Sequence, residues 1–201
     1  MQNKSSVRFH VSIFNLKSKK NMRIRKDNTA FILVDVQERL FPHIFEAERL
    51  EKKLHTLISG LQILQVPILV SEQYTKGLGK TIESLQPLVA NLPTAEKMAF
   101  SCYQEERMVL QIERWQANFV ILAGIETHVC VLQTALDLLE AGKTPVIVAD
   151  AVSSRFENDK IIALQRLVQA QCLITTVESL LFELCVKAGT PTFKEISRLV
   201  K

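Results

Sequence analysis

The feature that most restricts the fold is a set of unbroken apolar runs, each closed by a glycine or a carboxylate. Ala30-Phe31-Ile32-Leu33-Val34 ends at Asp35, Phe119-Val120-Ile121-Leu122-Ala123 at Gly124, and Pro145-Val146-Ile147-Val148-Ala149 at Asp150. A strand with one wet face alternates apolar and polar residues, whereas a continuous run fits a strand covered on both faces of a parallel sheet. Between the runs the apolar spacing becomes helical, as in Leu50, Leu54, Leu57, Ile58, Leu61 and Leu64. Pro67 opens a further strand, Ile68-Leu69-Val70, and a loop with Gly77 and Gly79 follows. A weaker strand lies at Glu96 to Phe100 and holds Lys97. Residues 105–115 read as a helix. Another runs from about Thr127 to Ala141 and stops at Gly142, which suits the C′ position. Asn158 is placed to cap a helix carrying Ile161, Ile162, Leu164, Leu167 and Val168. Cys172-Leu173-Ile174 reads as a short last strand. Thr176 caps a helix through Leu184, and Thr190-Pro191 starts a final helix with Phe193, Ile196 and Leu199. The alternation predicts a three-layer, doubly wound α/β domain with a six-stranded, mostly parallel sheet flanked by helices.

A chain of 201 residues, 47% hydrophobic, suits one such domain, and no repeat or low-complexity linker divides it. The net charge of +4 is unevenly placed, because residues 1–21 hold Lys4, Arg8, Lys17, Lys19 and Lys20 and no acid. A boundary is therefore expected between a flexible basic extension, 1–21, and a domain at 22–201. The extension fits a solvated tail, a start upstream of a natural Met22, or a mitochondrial presequence. Without those five charges the body carries −1 and has no basic face suited to nucleic acid. No apolar run approaches the roughly 20 residues of a membrane span, and no signal-peptide core is visible. The four cysteines, Cys102, Cys130, Cys172 and Cys185, contain no CxxC pair. A cytoplasmic, reducing compartment with unbridged thiols is expected.

The most specific segment is Leu122-Ala123-Gly124-Ile125-Glu126-Thr127-His128-Val129-Cys130-Val131. A buried strand meets a glycine, turns, and presents a cysteine near the start of a helix. A helix N-terminus lowers a thiol pKa, and unpaired N–H groups at the same turn can hold a developing oxyanion. Asp35 and Lys97 also lie near strand ends, where ligands of doubly wound sheets bind. Each has an ordinary reading too: Asp35 as a cap, Lys97 as a solvated edge residue, Cys130 as a small buried residue. His128 is a poor partner for Cys130, since residues two apart on a helix face opposite sides. No histidine follows it. HExxH, zinc-type spacings and GxGxxG are absent, so neither a metal nor a dinucleotide cofactor is expected.

From about residue 29 to 200 the chain resembles the isochorismatase-like cysteine hydrolases, and most of all the metal-free isochorismatase domain-containing branch. The resemblance rests on Ile32-Leu33-Val34-Asp35-Val36-Gln37, on Lys97 before Phe100, and on Gly124 through Val131. Asp150-Ala151-Val152-Ser153-Ser154, Thr176 through Glu183 and Ser71 through Gly79 add to it. It implies a triad of Asp35, Lys97 and Cys130 and a hydrolase domain over 22–201. Cys130 would attack an electrophilic carbon, Asp35 would take the thiol proton and pass it to the leaving amine, and Lys97 would stabilise the thiolate and keep Asp35 ionised. The intermediate would be a thioester. The resemblance also implies a cis Ile125–Glu126 peptide and an oxyanion hole from the Glu126 and Cys130 N–H groups. Nicotinamidase relatives carry metal-binding residues where this chain has Glu72-Gln73-Tyr74, and true isochorismatases lack the cysteine. Both comparisons point to metal-free cysteine chemistry.

Gln37, Phe41, Glu72 and Tyr103 are candidates to line the substrate pocket, with packing or surface roles equally open to each. Cys102, Cys172 and Cys185 read as structural. The helix at 127–141 is apolar almost all round and so is buried, in part at a subunit interface; with the family's habit this gives an expected homo-oligomer. The leading expectation is an amidase-like hydrolase of a small molecule's C–N bond. A catalytically idle or slow member serving as a protein-interaction module is the alternative, and a flavodoxin-like binding domain is a third that does not explain the Asp/Lys/Cys set.

Overall fold

A computed structural model describes residues 22–201, and the basic extension expected at 1–21 lies outside the described residues. The strands are β1 Thr29–Val34, β2 Ile68–Gln73, β3 Thr94–Lys97, β4 Phe119–Ile125, β5 Thr144–Ser153 and β6 Leu173–Thr175. They form one sheet in the order β3-β2-β1-β4-β5-β6, and every pairing between them is parallel. The helices are α1 Ala47–Ile63, α2 Thr75–Leu78, α3 Gln86–Val89, α4 Glu106–Arg114, α5 Leu132–Glu140, α6 Glu157–Gln169, α7 Val177–Cys185 and α8 Pro191–Leu199. The chain starts in the middle at β1, winds outward through β2 to β3, then returns to β4 on the other side of β1. The switch point therefore lies between β1 and β4.

The apolar runs are continuous because each strand feeds two cores. Phe31 and Leu33 point into one, with the buried residues of α1, α7 and α8. Ala30, Ile32 and Val34 point into the other, with Met108 and Ile112 of α4, Ala135 and Leu138 of α5 and Leu167 of α6. This is the three-layer arrangement that the alternation predicted. The weak strand near Lys97 proves to be the edge strand β3. Its alternate residues Ala95 and Lys97 are buried while Thr94 and Glu96 are exposed.

Several boundaries differ from the sequence reading for local reasons. β5 does not end at Asp150 but runs on to Ser153, with a register shift opposite Leu122 and Gly124. Asp150 is then free to serve two helices. Its Oδ1 accepts from the Val177 N–H at the start of α7, and its Oδ2 pairs with Lys53 of α1. Thr176 precedes α7 without a side-chain cap because Asp150 supplies that acceptor. Asn158 is the second residue of α6, not its cap. Thr190 caps α8 as expected, accepting from the Phe193 N–H at 3.0 Å. The helix expected from Thr127 opens as a π-helical turn, Thr127–Val131, before α5. The core side of α5 is covered by its own domain. The large exposed apolar residues nearest in sequence lie instead on and before α6: Phe156, Ile161, Ile162 and Val168.

Gly124 has no substitute. Its φ is +116°, and a Cβ there would lie 2.2 Å from the Val34 carbonyl oxygen of the adjacent strand. Gly124→Ala is expected to destabilise the domain by about 3 kcal/mol or more, combining a strained φ with a backbone clash. Urea unfolding checks this, and an unchanged midpoint would contradict it.

Candidate active site

The ends of β1, β3 and β4 bring three distant side chains together. Asp35 follows β1 in the left-handed region (φ +49°), its N–H donating to the Ser71 carbonyl at 3.1 Å. Lys97 is the last residue of β3, and Cys130 is the fourth of the π-helical turn after β4. Asp35 and Lys97 are each 1% exposed and Cys130 is 7% exposed. The Lys97 Nζ lies 2.8 Å from Asp35 Oδ2 and 3.7 Å from Cys130 Sγ. It also donates to Gln73 Oε1, to the Phe100 carbonyl at 2.9 Å and to the Ala99 carbonyl at 3.2 Å. Ser71 Oγ donates to Asp35 Oδ1 at 2.6 Å. The contact of Oδ2 with Lys97 is an ion pair by distance, and no donor meets this buried oxygen in good hydrogen-bond geometry. Asp35 also acts on the Cys130 thiol, through its charge and as a hydrogen-bond partner. The predicted constellation of Asp35, Lys97 and Cys130 is therefore assembled at one point.

The charge state differs from the sequence reading. A helix terminus and Lys97 were expected to lower the Cys130 pKa. Burial pushes the thiol up instead, the Asp35 carboxylate pushes it further, and Lys97 only partly opposes them. A thiolate would be a second buried anion beside Asp35, and one ammonium cannot balance both. Burial is the largest single influence on Lys97 and works against its charge, but Asp35, Cys102 and Cys130 together hold the ammonium above its ordinary range. The resting site is thus ammonium, carboxylate and neutral thiol. Cys102 belongs to the same buried cluster. Burial raises its thiol to about 11, and it hydrogen-bonds to Ser71 and Thr134.

The Ile125–Glu126 peptide is cis. The Glu126 carbonyl accepts from the Val129 and Val131 N–H groups, and its side chain takes both the N–H and Nε of Arg155 at 3.1 Å. His128 faces away from the thiol chemistry: Nδ1 contacts Ser154 Oγ at 2.9 Å, and Nε2 lies 3.8 Å from Asp159.

The four pocket candidates have other partners. Gln37 uses its amide completely, donating to the Gln73 and Gly79 carbonyls and accepting from the Gln73 N–H. Glu72 accepts from the Thr81 N–H and hydroxyl and from Lys80. Both hold the 73–81 segment against the strand ends. Phe41 is buried in the core with α1. The Tyr103 hydroxyl donates to Glu113 at 2.9 Å. Residues with no role in the sequence reading do more here: Ser71 and Gln73 grip Asp35 and Lys97 directly. Ser71 interrupts an apolar strand at the point that pairs with Val34, which was the available signal. Among the described residues, no group of three or more His, Cys, Asp or Glu side chains is placed to hold a metal ion.

Comparison with known proteins decides the family. The Isochorismatase domain model matches residues 29–179. The chain belongs to the isochorismatase-domain family. It is 37% identical over 188 residues to the secreted isochorismatase effector Isc1 of Phytophthora sojae, covering 89% of this chain and 87% of that one. It is 40% identical over 173 residues to isochorismatase domain-containing protein 1 of Danio rerio, covering 86% of this chain but only 61% of that protein's length. The solved structure of the MAR1 ribonuclease from Caenorhabditis elegans superposes with a TM-score of 0.84 at 37% identity, covering 89% and 92% of the two chains. Escherichia coli YcaC, an octameric hydrolase of unknown specificity, shares the fold at TM-score 0.83 and 21% identity, covering 90% and 92%.

The two buried thiols make stability pH-dependent. Both keep their protons in the folded state above the pH at which an exposed thiol ionises. Above about pH 9 the unfolded chain therefore binds fewer protons, and stability falls as pH rises toward 11. The expected slope is about 1.4 kcal/mol per pH unit for each thiol. Urea unfolding across that range checks it. Cys102→Ala should remove about one thiol's share, and an unaltered slope in that variant would contradict the assignment.

Proposed function

We propose that the protein is a cysteine-dependent hydrolase that cleaves a C–N, amide-like bond of a small molecule. The observation that carries this reading is a buried carboxylate oxygen, Asp35 Oδ2, held by Lys97 beside a protonated Cys130 thiol and free to accept its proton. As Sγ attacks the substrate carbonyl carbon, the thiol proton moves to Asp35, so the buried charge count does not change. The Glu126 and Cys130 N–H groups receive the oxyanion at the turn after β4, where each such donor is worth on the order of 10²–10³ in rate. Collapse breaks the C–N bond, and Asp35 returns the proton to the leaving nitrogen. The thioester is then attacked by water, which gives a proton to Asp35. Breaking the C–S bond releases the acid, and Asp35 returns that proton to the sulfur, restoring the thiol and the carboxylate. Proton transfer by a positioned carboxylate is worth on the order of 10²–10⁴. Lys97 stays charged throughout.

Depth sets the substrate class. With Asp35 and Lys97 each 1% exposed and Cys130 7% exposed, the site suits a small substrate better than a folded polymer. The C. elegans relative is named a ribonuclease, but RNA is not the substrate we propose here. The test is a panel of small primary and secondary amides, reading released ammonia or amine and the acyl mass on the Cys130 peptide. At least one amide should acylate Cys130 and turn over. Cys130→Ala should lose about 10³-fold or more in that turnover, and RNA in the same buffer should remain intact. No acylation with any amide, or equal turnover by Cys130→Ala, would sink the proposal.

We further propose a homo-oligomer. The apolar residues exposed on α6, not those of α5, supply the surface, and the YcaC neighbour is described as octameric. Light scattering at micromolar concentration should give a mass above one chain, and Ile161→Lys with Ile162→Lys should return it to the monomer. A wild-type monomer would contradict this.

A further inference from the structure

A second site lies away from the triad. A cavity of about 220 Å³ opens beside the end of β5, between the starts of α1 and α6. That is below the roughly 300–1,000 Å³ of drug-sized pockets, so any ligand is small. Phe45, Leu50 and Val152 give it an apolar wall. The wall is pinned in place: Ser153 Oγ donates to the Phe45 carbonyl at 2.8 Å, and the Phe45 N–H donates to the Ser154 carbonyl at 2.9 Å.

The cavity is lined by two acids, Glu46 and Asp150, and two bases, Arg49 and Lys160, but not all four are paired. Glu46 is matched by Arg49 at 3.2 Å. Asp150 is matched by Lys53 at 3.1 Å and by the Val177 N–H. Lys160 also lines the cavity, and its ammonium makes no ion pair or hydrogen bond among the described residues, although its backbone N–H donates to the Phe156 carbonyl at 3.3 Å. Burial holds its ammonium below the ordinary value, even with Glu46 and Asp150 near enough to favour the charge. Glu157, one turn earlier on α6, is exposed to solvent. One partly buried cation in a part-apolar cavity, with the lining acids Glu46 and Asp150 already paired and Glu157 turned to solvent, is complemented by a single negative charge on an apolar body.

We propose that this cavity binds a small monocarboxylate, its carboxylate on the Lys160 ammonium and its alkyl part against Phe45, Leu50 and Val152. A phosphate dianion fits less well, because it has no apolar part and its second charge would face Glu46 and Asp150. The test is titration of the isotope-labelled protein with isovalerate, following backbone amide shifts, with 3-methyl-1-butanol as the uncharged counterpart. Isovalerate should give saturable shifts at Phe45, Ser153 and Lys160, and the alcohol should not. Lys160→Gln should bind about tenfold more weakly, and Lys160→Arg should retain binding. Lack of saturation with isovalerate, equal binding by acid and alcohol, undiminished affinity in Lys160→Gln, or shifts confined to the Cys130 turn would each overturn the assignment. The acid–alcohol comparison uses the unaltered protein, so it decides the matter even if a variant folds poorly.

Discussion

The ion pair between Lys97 and Asp35 is the constraint around which the site is organised. Both charges are almost wholly removed from water. Such a pair survives only if its remaining hydrogen-bonding capacity is met, and removing one partner from a buried pair typically costs about 3–5 kcal/mol. The structure meets that demand with named groups. Ser71 satisfies Asp35 Oδ1, while Gln73 and the carbonyls of Ala99 and Phe100 take the Lys97 protons. These contacts fix the end of β2 and the course of residues 98–100. Oδ2 has the Lys97 ammonium at 2.8 Å and no other donor, and Asp35 is also the hydrogen-bond partner of the Cys130 thiol. The same interactions that make the pair tolerable thus leave one carboxylate oxygen with no donor but Lys97.

The pair also determines the state of the sulfur. Beside a lone cation a thiol ionises readily, but beside a neutralised cation in a buried site it does not. The resting thiol is protonated, and in the proposed reaction nucleophilicity arises only as the proton leaves for Asp35. An enzyme of this design is reactive toward a substrate seated against its oxyanion donors and comparatively inert toward a passing electrophile. The sequence could place Cys130 at a turn near a helix, and from that the opposite pKa direction follows. Depth of burial and the nearness of Asp35 are three-dimensional facts that its neighbours in the chain do not carry.

Other parts of the fold were more legible. The runs ending at Asp35 and Gly124 gave β1 and β4 almost to the residue, because a strand buried on both faces has no polar position to blur its limits. The run ending at Asp150 misled, since the slip opposite Gly124 lets β5 continue past a polar residue. Asp35, Lys97 and Cys130 stood out because reactive residues at strand ends are chemically conspicuous. Gln37 and Glu72 stood out for the same reason, yet their polar atoms secure the 73–81 segment. Nothing in residue type separates a side chain that holds a loop from one that meets a substrate. Ser71 and Gln73 were passed over because their roles depend on register, Val34 with Ser71 and Gln73 with Lys97.

Strand order explains why the cation is a lysine and why it comes from the edge strand. β3 is separated from β1 by β2, so two strand spacings, roughly 9–10 Å, divide their backbones. A long, unbranched side chain can cross that gap, and a compact ammonium can hold several acceptors at once in a way that a planar guanidinium cannot. On β2 between them, Gln73 takes a Lys97 proton and Ser71 turns its hydroxyl to Asp35. Asp35 needs the reverse property, a short side chain turned back over the sheet, and its left-handed backbone just after β1 gives it that direction. The chemistry therefore follows from topology: a sheet wound outward from β1 leaves its first and third strand ends one lysine's reach apart, with the turn after β4 closing the third side.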